Sequence, residues 1–383
     1  MSPGLPGAVT PSMRARQICP IRSIFRHGGR EHSAHRRARF AGSARWVAPG
    51  LCAGPLSCAP MTQRLIRSRN PSVLFFGSDE FACVSLRAIM GVCSVQGVVA
   101  PNTTRLPAPT FAVASGLRLY TGAPHCWDTL PKNVDVGVVV SFGHKIPDRV
   151  IGSFRYGMVN VHPSLLPMYR GSSPIQTALL DGVSETGVCV IEVASRMDSG
   201  RILSSRRVPV DGNDTYRSLR DRLAVVGSEL LVNVVADVER AQRGAIQQGS
   251  AEGLRRATKL HSDHAAVDFE TMSSDDIYRH WRAFYGFIHV HAAWRERKRL
   301  LLIEVDPPSR ATDEWALPPG EFVYDMSRDR IIIGCRDGTH LAVAQLQVST
   351  RKIVSAVAFA HGYHIPRRRL LSTDLLRDCT NRT

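Results

Sequence analysis

Between Ser72 and Val210 the chain alternates short apolar runs with longer amphipathic stretches. "SVLFF" (72–76) ends in "GSDEF", and "ACVSLRAIM" follows with apolar positions at helical spacing. A buried strand, a turn and a helix are predicted in that order. "SVQGVVA" (94–100), "DVGVVVSFG" (135–143) and "GMVNVH" (157–162) predict further strands, and the 135–143 run is apolar enough to be covered on both faces. Strands separated in this way read as βαβ units with right-handed crossovers, a Rossmann-like α/β domain with a mostly parallel sheet. "VVAPNTTRLPAPTF" reads as a short loop after the second strand. "GVCVIEVA" (187–194) and "RILSSRRVPV" (201–210) flank the turn "SRMDSG" and predict an antiparallel hairpin added to that sheet. A long amphipathic helical region over 214–244 ends in a glycine stop.

The pattern then changes. Residues 251–272 are polar and aperiodic, as in a linker. From Ser273 one helix is predicted, with a serine and two aspartates at its start. Short strands follow ("HAAW", "RLLLIEV", "RIIIGC", "THLAVAQLQV"), spaced as in a small OB-like β-barrel. The expected organisation is a leader over 1–70, a catalytic α/β domain over 71–250, the linker, and a C-terminal domain over 273–383.

Charge sharpens this division. The formal net charge is +16, but residues 1–70 hold twelve arginines and no lysine against one glutamate, and 279–383 hold 17 Lys+Arg against 11 Asp+Glu. A near-neutral body lies between two basic ends. The arginine-rich, acid-poor leader reads as a mitochondrial transit peptide; a basic arm that stays attached and binds nucleic acid is the alternative. The C-terminal excess falls on strand patterns, hence on a folded surface, for which nucleic acid is the expected partner.

No apolar run approaches the roughly 18–20 residues of a membrane span, so no membrane partner is expected. The nine cysteines include no C-x-x-C pair, and no Cys/His cluster has zinc spacing, so no metal is expected. A reducing compartment such as the mitochondrial matrix suits free thiols.

Candidate chemistry begins with what is missing. After Gly77 no glycine occurs until Gly91, and Asp79 and Glu80 occupy the turn, so the first strand–helix junction is not a dinucleotide or phosphate loop. The stretch "VNVHPSLLPMYRGSSPIQ" (159–176) says more. Asn160 and His162 are two apart on a strand and face the same side. Pro163 and Pro167 end ladder formation at the strand's C-terminal end, where open α/β sheets bind ligands. A cap and a packed histidine would be the plainer explanation. Asp198, in the hairpin tip "RMDSG", could bring a carboxylate to His162. Amide donor, imidazole and carboxylate together suit direct acyl transfer to an amine, with no serine or cysteine nucleophile.

"GSDEFA", "VVVSFGHKIP" and "GMVNVHPSLLPMYRGSSPIQTALLDGVSETGVCVIEVASRMDSGRIL" resemble the folate-dependent formyltransferase family in order and spacing over most of 77–203. The C-terminal part, from "ATKLHSDHAAVDF", resembles the branch of that family that acts on methionyl-tRNA, and the basic leader resembles its mitochondrial members. The resemblance implies 10-formyltetrahydrofolate as formyl donor and co-substrate, and the amino group of initiator methionyl-tRNA as acceptor. It implies Asn160, His162 and Asp198 as the catalytic trio. The folate would lie on the loop Ser164, Leu165, Leu166 and Pro167, with Val140, Phe142 and Gly143 as further contacts. For the tRNA, the expected contacts are Arg105, Arg170, Arg295, Arg297, Lys298, Arg299, Arg367, Arg368 and Arg369, with Arg351 and Lys352 as a further candidate cluster. A monomer suffices for this chemistry.

Two departures stand out. Bacterial relatives carry a long basic loop after the second strand, whereas here Arg105 is the basic residue of a short one. Met168 replaces the usual arginine. Rival readings keep the fold but use a small amine acceptor, or make the chain a non-catalytic RNA-binding relative.

Overall fold

The computed structural model describes residues 70–101, 105–121, 126–250, 252–294, 298–308 and 317–365, with the backbone of 368 and 369. The leader expected over 1–70, apart from Asn70, lies outside these residues, as do Arg295, Arg297 and Arg367.

The first layer of structure is a seven-stranded sheet. In chain order its elements are β1 (Ser72–Gly77), α1 (Glu80–Met90), β2 (Ser94–Val99), α2 (Pro107–Ala114), β3 (Leu119–Tyr120), β4 (Val136–Val140), α3 (Asp148–Ile151), β5 (Met158–His162), α4 (Pro174–Leu180), β6 (Glu185–Glu192), β7 (Ile202–Pro209), α5 (Tyr216–Ala236) and α6 (Val238–Arg243). The strand order is β3-β2-β1-β4-β5-β6-β7. The strands from β3 to β5 are parallel to their neighbours, and β6 and β7 are antiparallel additions. The order reverses between β1 and β4, and that reversal opens a crevice at the strands' C-terminal ends.

The sheet is buried on both faces, as the apolar runs predicted. Val73, Phe75, Val138, Val140, Val159 and Val161 face the core under α1 and α5. Leu74, Phe76 and Met158 face a second cluster containing Trp127, Phe142 and Phe154. Side chains alternate faces along a strand, so Val139, Asn160 and His162 stand on the second side.

Helix starts follow their caps. Asp79 accepts a hydrogen bond from Ala82 N at 2.9 Å and opens α1. Thr215 and Ser218 form a capping box at α5. The stretch read as a loop after β2 differs from expectation: Pro107–Ala114 is α2. Its prolines fall in the first turn, where a missing N–H costs nothing, so residues that look like breakers begin a helix.

The C-terminal domain starts with α7 (Ser274–Phe284), capped by Ser273 and Asp276. There follow β8 (His291–Trp294), β9 (Lys298–Val305), β10 (Glu321–Asp325), β11 (Arg330–Gly334), β12 (His340–Val348), β13 (Val354–Ser355), α8 (Ala356–Tyr363) and β14 (Arg368–Arg369). The strands are antiparallel in the order β14-β10-β11-β12-β9-β8, with β13 on β12. Among the described residues the pairings run as an open path from β14 to β8. Trp294, Phe322 and Phe359 pack together under the sheet.

The two domains share a core and a polar joint. Helix α7 packs on α4 and α5, placing Ile277, Tyr278 and Phe284 in the cluster that also holds Val161 and Leu219. Arg282 is buried, and its Nη1 donates to the carbonyl oxygen of Asp214 at 3.1 Å. Burial, ahead of nearby charges, holds the Arg282 guanidinium below its ordinary pKa. Arg282→Met is expected to leave that carbonyl without its donor and to cost about 1–3 kcal/mol. Chemical denaturation measures this. An unchanged midpoint would show that water or a neighbour replaces the donor.

Candidate active site

The crevice at the strand ends is a cleft of about 600 Å³. Its floor is the adjacent trio Val139, Asn160 and Ile191, which the strand registers of β4, β5 and β6 align side by side. Its rims are the turn after β4 (Ser141–Ile146) and the tip between β6 and β7 (Val193–Asp198). The sequence trio meets here. The Asp198 carboxylate accepts a hydrogen bond from Asn160 Nδ2 at 3.4 Å through Oδ1 and one from Gly171 N at 2.9 Å through Oδ2. Oδ1 also lies 3.7 Å from His162 Nδ1. The His162 and Asp198 side chains are only 5% and 9% exposed, so their attraction is little screened by water.

The orientation of the imidazole follows from its other neighbour. His162 Nε2 lies 3.1 Å from the carbonyl oxygen of Tyr169, which can only accept, so Nε2 carries a proton. Nδ1 is then the nitrogen turned toward Asp198 and the cleft. A backbone device therefore fixes which histidine nitrogen can serve a reacting group.

Asp198 is held in a left-handed conformation, φ +53°, at the hairpin tip. The tip is tight: a Cβ on Gly200 would lie 1.8 Å from the carbonyl oxygen of Glu192. Gly171, which donates to Asp198, has φ +132° and would place a Cβ 2.1 Å from the carbonyl oxygen of Ala257. Only glycine lets the backbone pass so close at these two points.

Several expected ligand residues stand elsewhere. Val140 faces the α1–α5 core, one residue out of phase with the cleft, and Val139 takes the lining position. Ser164, Leu165, Leu166 and Pro167 do not line the cleft. Ser164 is buried and its hydroxyl donates to the carbonyl oxygen of Met168 at 2.7 Å. Leu166 packs against Cys189 and Ile191 behind the floor, and Leu165 lies against Gly187. The loop braces the site from beneath, because its apolar residues have a core to fill. Pro163 reaches the cleft instead. Phe142 and Gly143 do line it. The Phe142 ring is engaged edge-on with Phe76 at 5.5 Å, leaving the turn's backbone to face a ligand.

Asp79, in the turn after β1, caps α1 and also lines the cleft. Burial, partly offset by the Ala82 N–H, raises its pKa above the ordinary carboxylate value.

The basic residues divide into groups. Arg105 is exposed. Arg170 is half-buried, and its Nε donates to Gln248 Oε1 at 3.0 Å, which ties it to the segment after α6. Lys298 and Arg299 begin β9, and Ser349 N donates to the carbonyl oxygen of Arg299 at 2.8 Å, which brings Arg351 and Lys352 to the same end of the sheet. Arg368 and Arg369 lie on β14, at the other end of the pairing order. Gln248 itself, at the site's edge, gave no signal in sequence: it is one glutamine in a polar stretch.

Two domain patterns of one family match the chain: "Formyl transferase" over residues 128–235 and "Formyl transferase, C-terminal domain" over residues 259–364. The mitochondrial methionyl-tRNA formyltransferase of Bos taurus is 32% identical over 321 residues, covering 79% of this chain and 80% of its own length. The methionyl-tRNA formyltransferase of Sulfurihydrogenibium sp. is 29% identical, covering 76% of this chain and 97% of its own. In solved structures, the sugar 3N-formyl transferase WlaRD, crystallised with dTDP and 5-N-formyl-THF, has a TM-score of 0.54. It is 16% identical, covers 74% of this chain and 99% of its own, and so shows the fold. The fold is that of a formyltransferase. By sequence, the chain belongs to the methionyl-tRNA formyltransferase family.

Proposed function

We propose that the protein transfers the formyl group of 10-formyltetrahydrofolate to the α-amino group of initiator methionyl-tRNA, in the mitochondrial matrix, after a transit peptide within residues 1–70 is removed. The observation that carries the chemistry is the convergence of Asn160, His162 and Asp198 in one cleft. The relatives carry the acceptor and the compartment.

The reaction needs few parts. The amine nitrogen attacks the formyl carbon, and the carbonyl oxygen gains negative charge. Asn160 Nδ2 and a protonated His162 Nδ1 can both donate to that oxyanion. Asp198 stabilises the imidazolium and receives the proton the amine loses, directly or through a water. The tetrahedral carbon collapses by breaking its bond to N10, and N10 leaves with the proton that Asp198 took from the amine, passed on directly or through a water. The trio needs no covalent enzyme intermediate.

Donor recognition falls to the floor residues Val139 and Ile191 and to the backbone of 141–146, with the Ser164–Pro167 loop as their support. The acceptor RNA is held by the basic end of the C-terminal sheet at Lys298, Arg299, Arg351 and Lys352, with Arg295, Arg297 and Arg367–Arg369 as further contacts. The chemistry is complete within one chain, so a monomer is active.

The direct test is formylation of charged methionyl-tRNA with 10-formyltetrahydrofolate. Transfer to a small amine alone would overturn the tRNA reading. A Lys298→Glu/Arg299→Glu double variant is expected to raise KM for methionyl-tRNA and to flatten the log–log salt dependence by about 2. Folate affinity should be unaltered. An unchanged salt slope would assign both residues to an idle surface.

A further inference from the structure

The segment after α6 runs from the catalytic domain into the stretch over 251–272 that reads as a linker. In the structure it lies as a strap across both loops that carry the catalytic groups. Ile246 pairs with Ile202 through hydrogen bonds of 2.8 and 2.9 Å, at the start of β7. Two residues later Gln248 turns inward and is 8% exposed. Its Nε2 donates to the carbonyl oxygens of Asp198, at 2.9 Å, and Gly200, at 2.7 Å. Its Oε1 accepts from Arg170 Nε at 3.0 Å and from Nη2 at 2.5 Å. Two carbonyls on one side and a guanidinium on the other admit a single amide orientation.

Further along, the strap grips the second loop. Tyr169 N donates to the carbonyl oxygen of Arg255 at 3.0 Å, and Ala257 N donates to that of Arg170 at 2.9 Å. These residues flank the two backbone groups that orient the trio: the Tyr169 carbonyl on His162 Nε2 and the Gly171 N–H on Asp198 Oδ2. Asp198 sits at φ +53°, a conformation that persists in a non-glycine residue when its surroundings enforce it. Gln248 supplies that enforcement from below, on the backbone of Asp198 itself and on Gly200 two residues on. Through Arg170 it also joins the hairpin tip to the 169–173 loop.

We propose that Gln248 is a positioning residue for formyl transfer: its side-chain amide locks the Asp198 turn to the Arg170 loop and so holds the carboxylate at Asn160, His162 and Gly171. The strap that leads to the RNA-binding domain thereby becomes part of the catalytic frame. This rests on the formyl-transfer reading above.

The test compares Gln248→Ala, Gln248→Met and Gln248→Glu with wild type in single-turnover formylation of methionyl-tRNA, alongside KM, folate affinity and Tm. Displacing a catalytic group by about 1 Å costs up to about a hundredfold in rate. Both Gln248→Ala and Gln248→Met, the latter keeping the volume and an apolar fit, are expected to lose ten- to a hundredfold in kcat, with KM for tRNA within about twofold. Gln248→Glu keeps the partner of Arg170 but turns an acceptor onto the two carbonyls, so it should recover nothing. In an Asp198→Ala background, adding Gln248→Met should cost no further rate, because residues acting through one another are not additive.

Wild-type kcat in Gln248→Met, recovery by Gln248→Glu, or losses that multiply in the double variant would each overturn the proposal. A wild-type protein unable to formylate methionyl-tRNA would overturn the functional reading itself, and the proposal with it.

Discussion

His162→Ala is expected to lower kcat for formyl transfer by about a thousandfold or more, with little change in folding or donor affinity. Three roles are lost together. Nδ1 no longer donates to the oxyanion, and losing one preorganised donor typically costs ~10²–10³. The imidazole that faces Asp198 across 3.7 Å, in a site where both side chains are under a tenth exposed, is also removed. The Tyr169 carbonyl, finally, loses the N–H that ties the 169–173 loop to β5. His162→Asn distinguishes the first two from the third, since an amide can restore a donor to the loop but not an imidazole to the cleft. Rapid-quench formylation with equilibrium folate binding checks both variants. Turnover within tenfold of wild type in His162→Ala would remove His162 from the mechanism. A folate affinity that collapses with it would recast His162 as a donor-binding group.

Much of this site was legible because strand periodicity is a strong signal. Asn160 and His162 are two apart, so their shared face follows from backbone geometry. The glycine two residues after Asp198 marked a constrained tip, and the reason is the close approach of the Glu192 carbonyl. Phase along an apolar run is harder to read. Val140 and Val139 look alike in "VGVVV", and only the register Val139↔Asn160 shows which one faces the cleft. "SLLP" follows the histidine directly and invites a ligand role, yet Leu166 is claimed by a small core beneath β6. Long-range hydrogen bonds left no trace at all. Gln248 lies fifty residues from Asp198, and neither spacing nor composition points from one to the other. The same holds for Lys298 and Arg299 and for Arg351 and Lys352, which share one end of the sheet only because β9 pairs with β12. Residues joined by local geometry can be read along a chain; residues joined by register or by a crossing strap require the fold.

Gly200→Ala is expected to destabilise the protein by about 3 kcal/mol and to lower kcat by about two orders of magnitude, more than its distance from the reacting atoms suggests. A Cβ at this position would lie 1.8 Å from the Glu192 carbonyl oxygen, 2.7 Å from its carbonyl carbon and 3.3 Å from its Cα. All three are backbone atoms, so no side-chain rotation makes room. The hairpin must open where Glu192 N donates to the Arg201 carbonyl oxygen at 3.0 Å. Gly200's own carbonyl must also shift from Gln248 Nε2. Both movements carry Asp198 away from Gly171 N and His162. Ser199→Ala is the control: its hydroxyl donates only to the nearby Arg196 carbonyl, at 2.8 Å, and its loss should cost about 1 kcal/mol or less. Thermal unfolding and single-turnover formylation, measured on both variants, separate the cases. If Gly200→Ala lost stability but kept its turnover, the tip could relax without moving the carboxylate, and the tight turn would be a matter of folding alone. If it lost turnover while keeping its Tm, the strain would have been taken up within the active site, at Asp198.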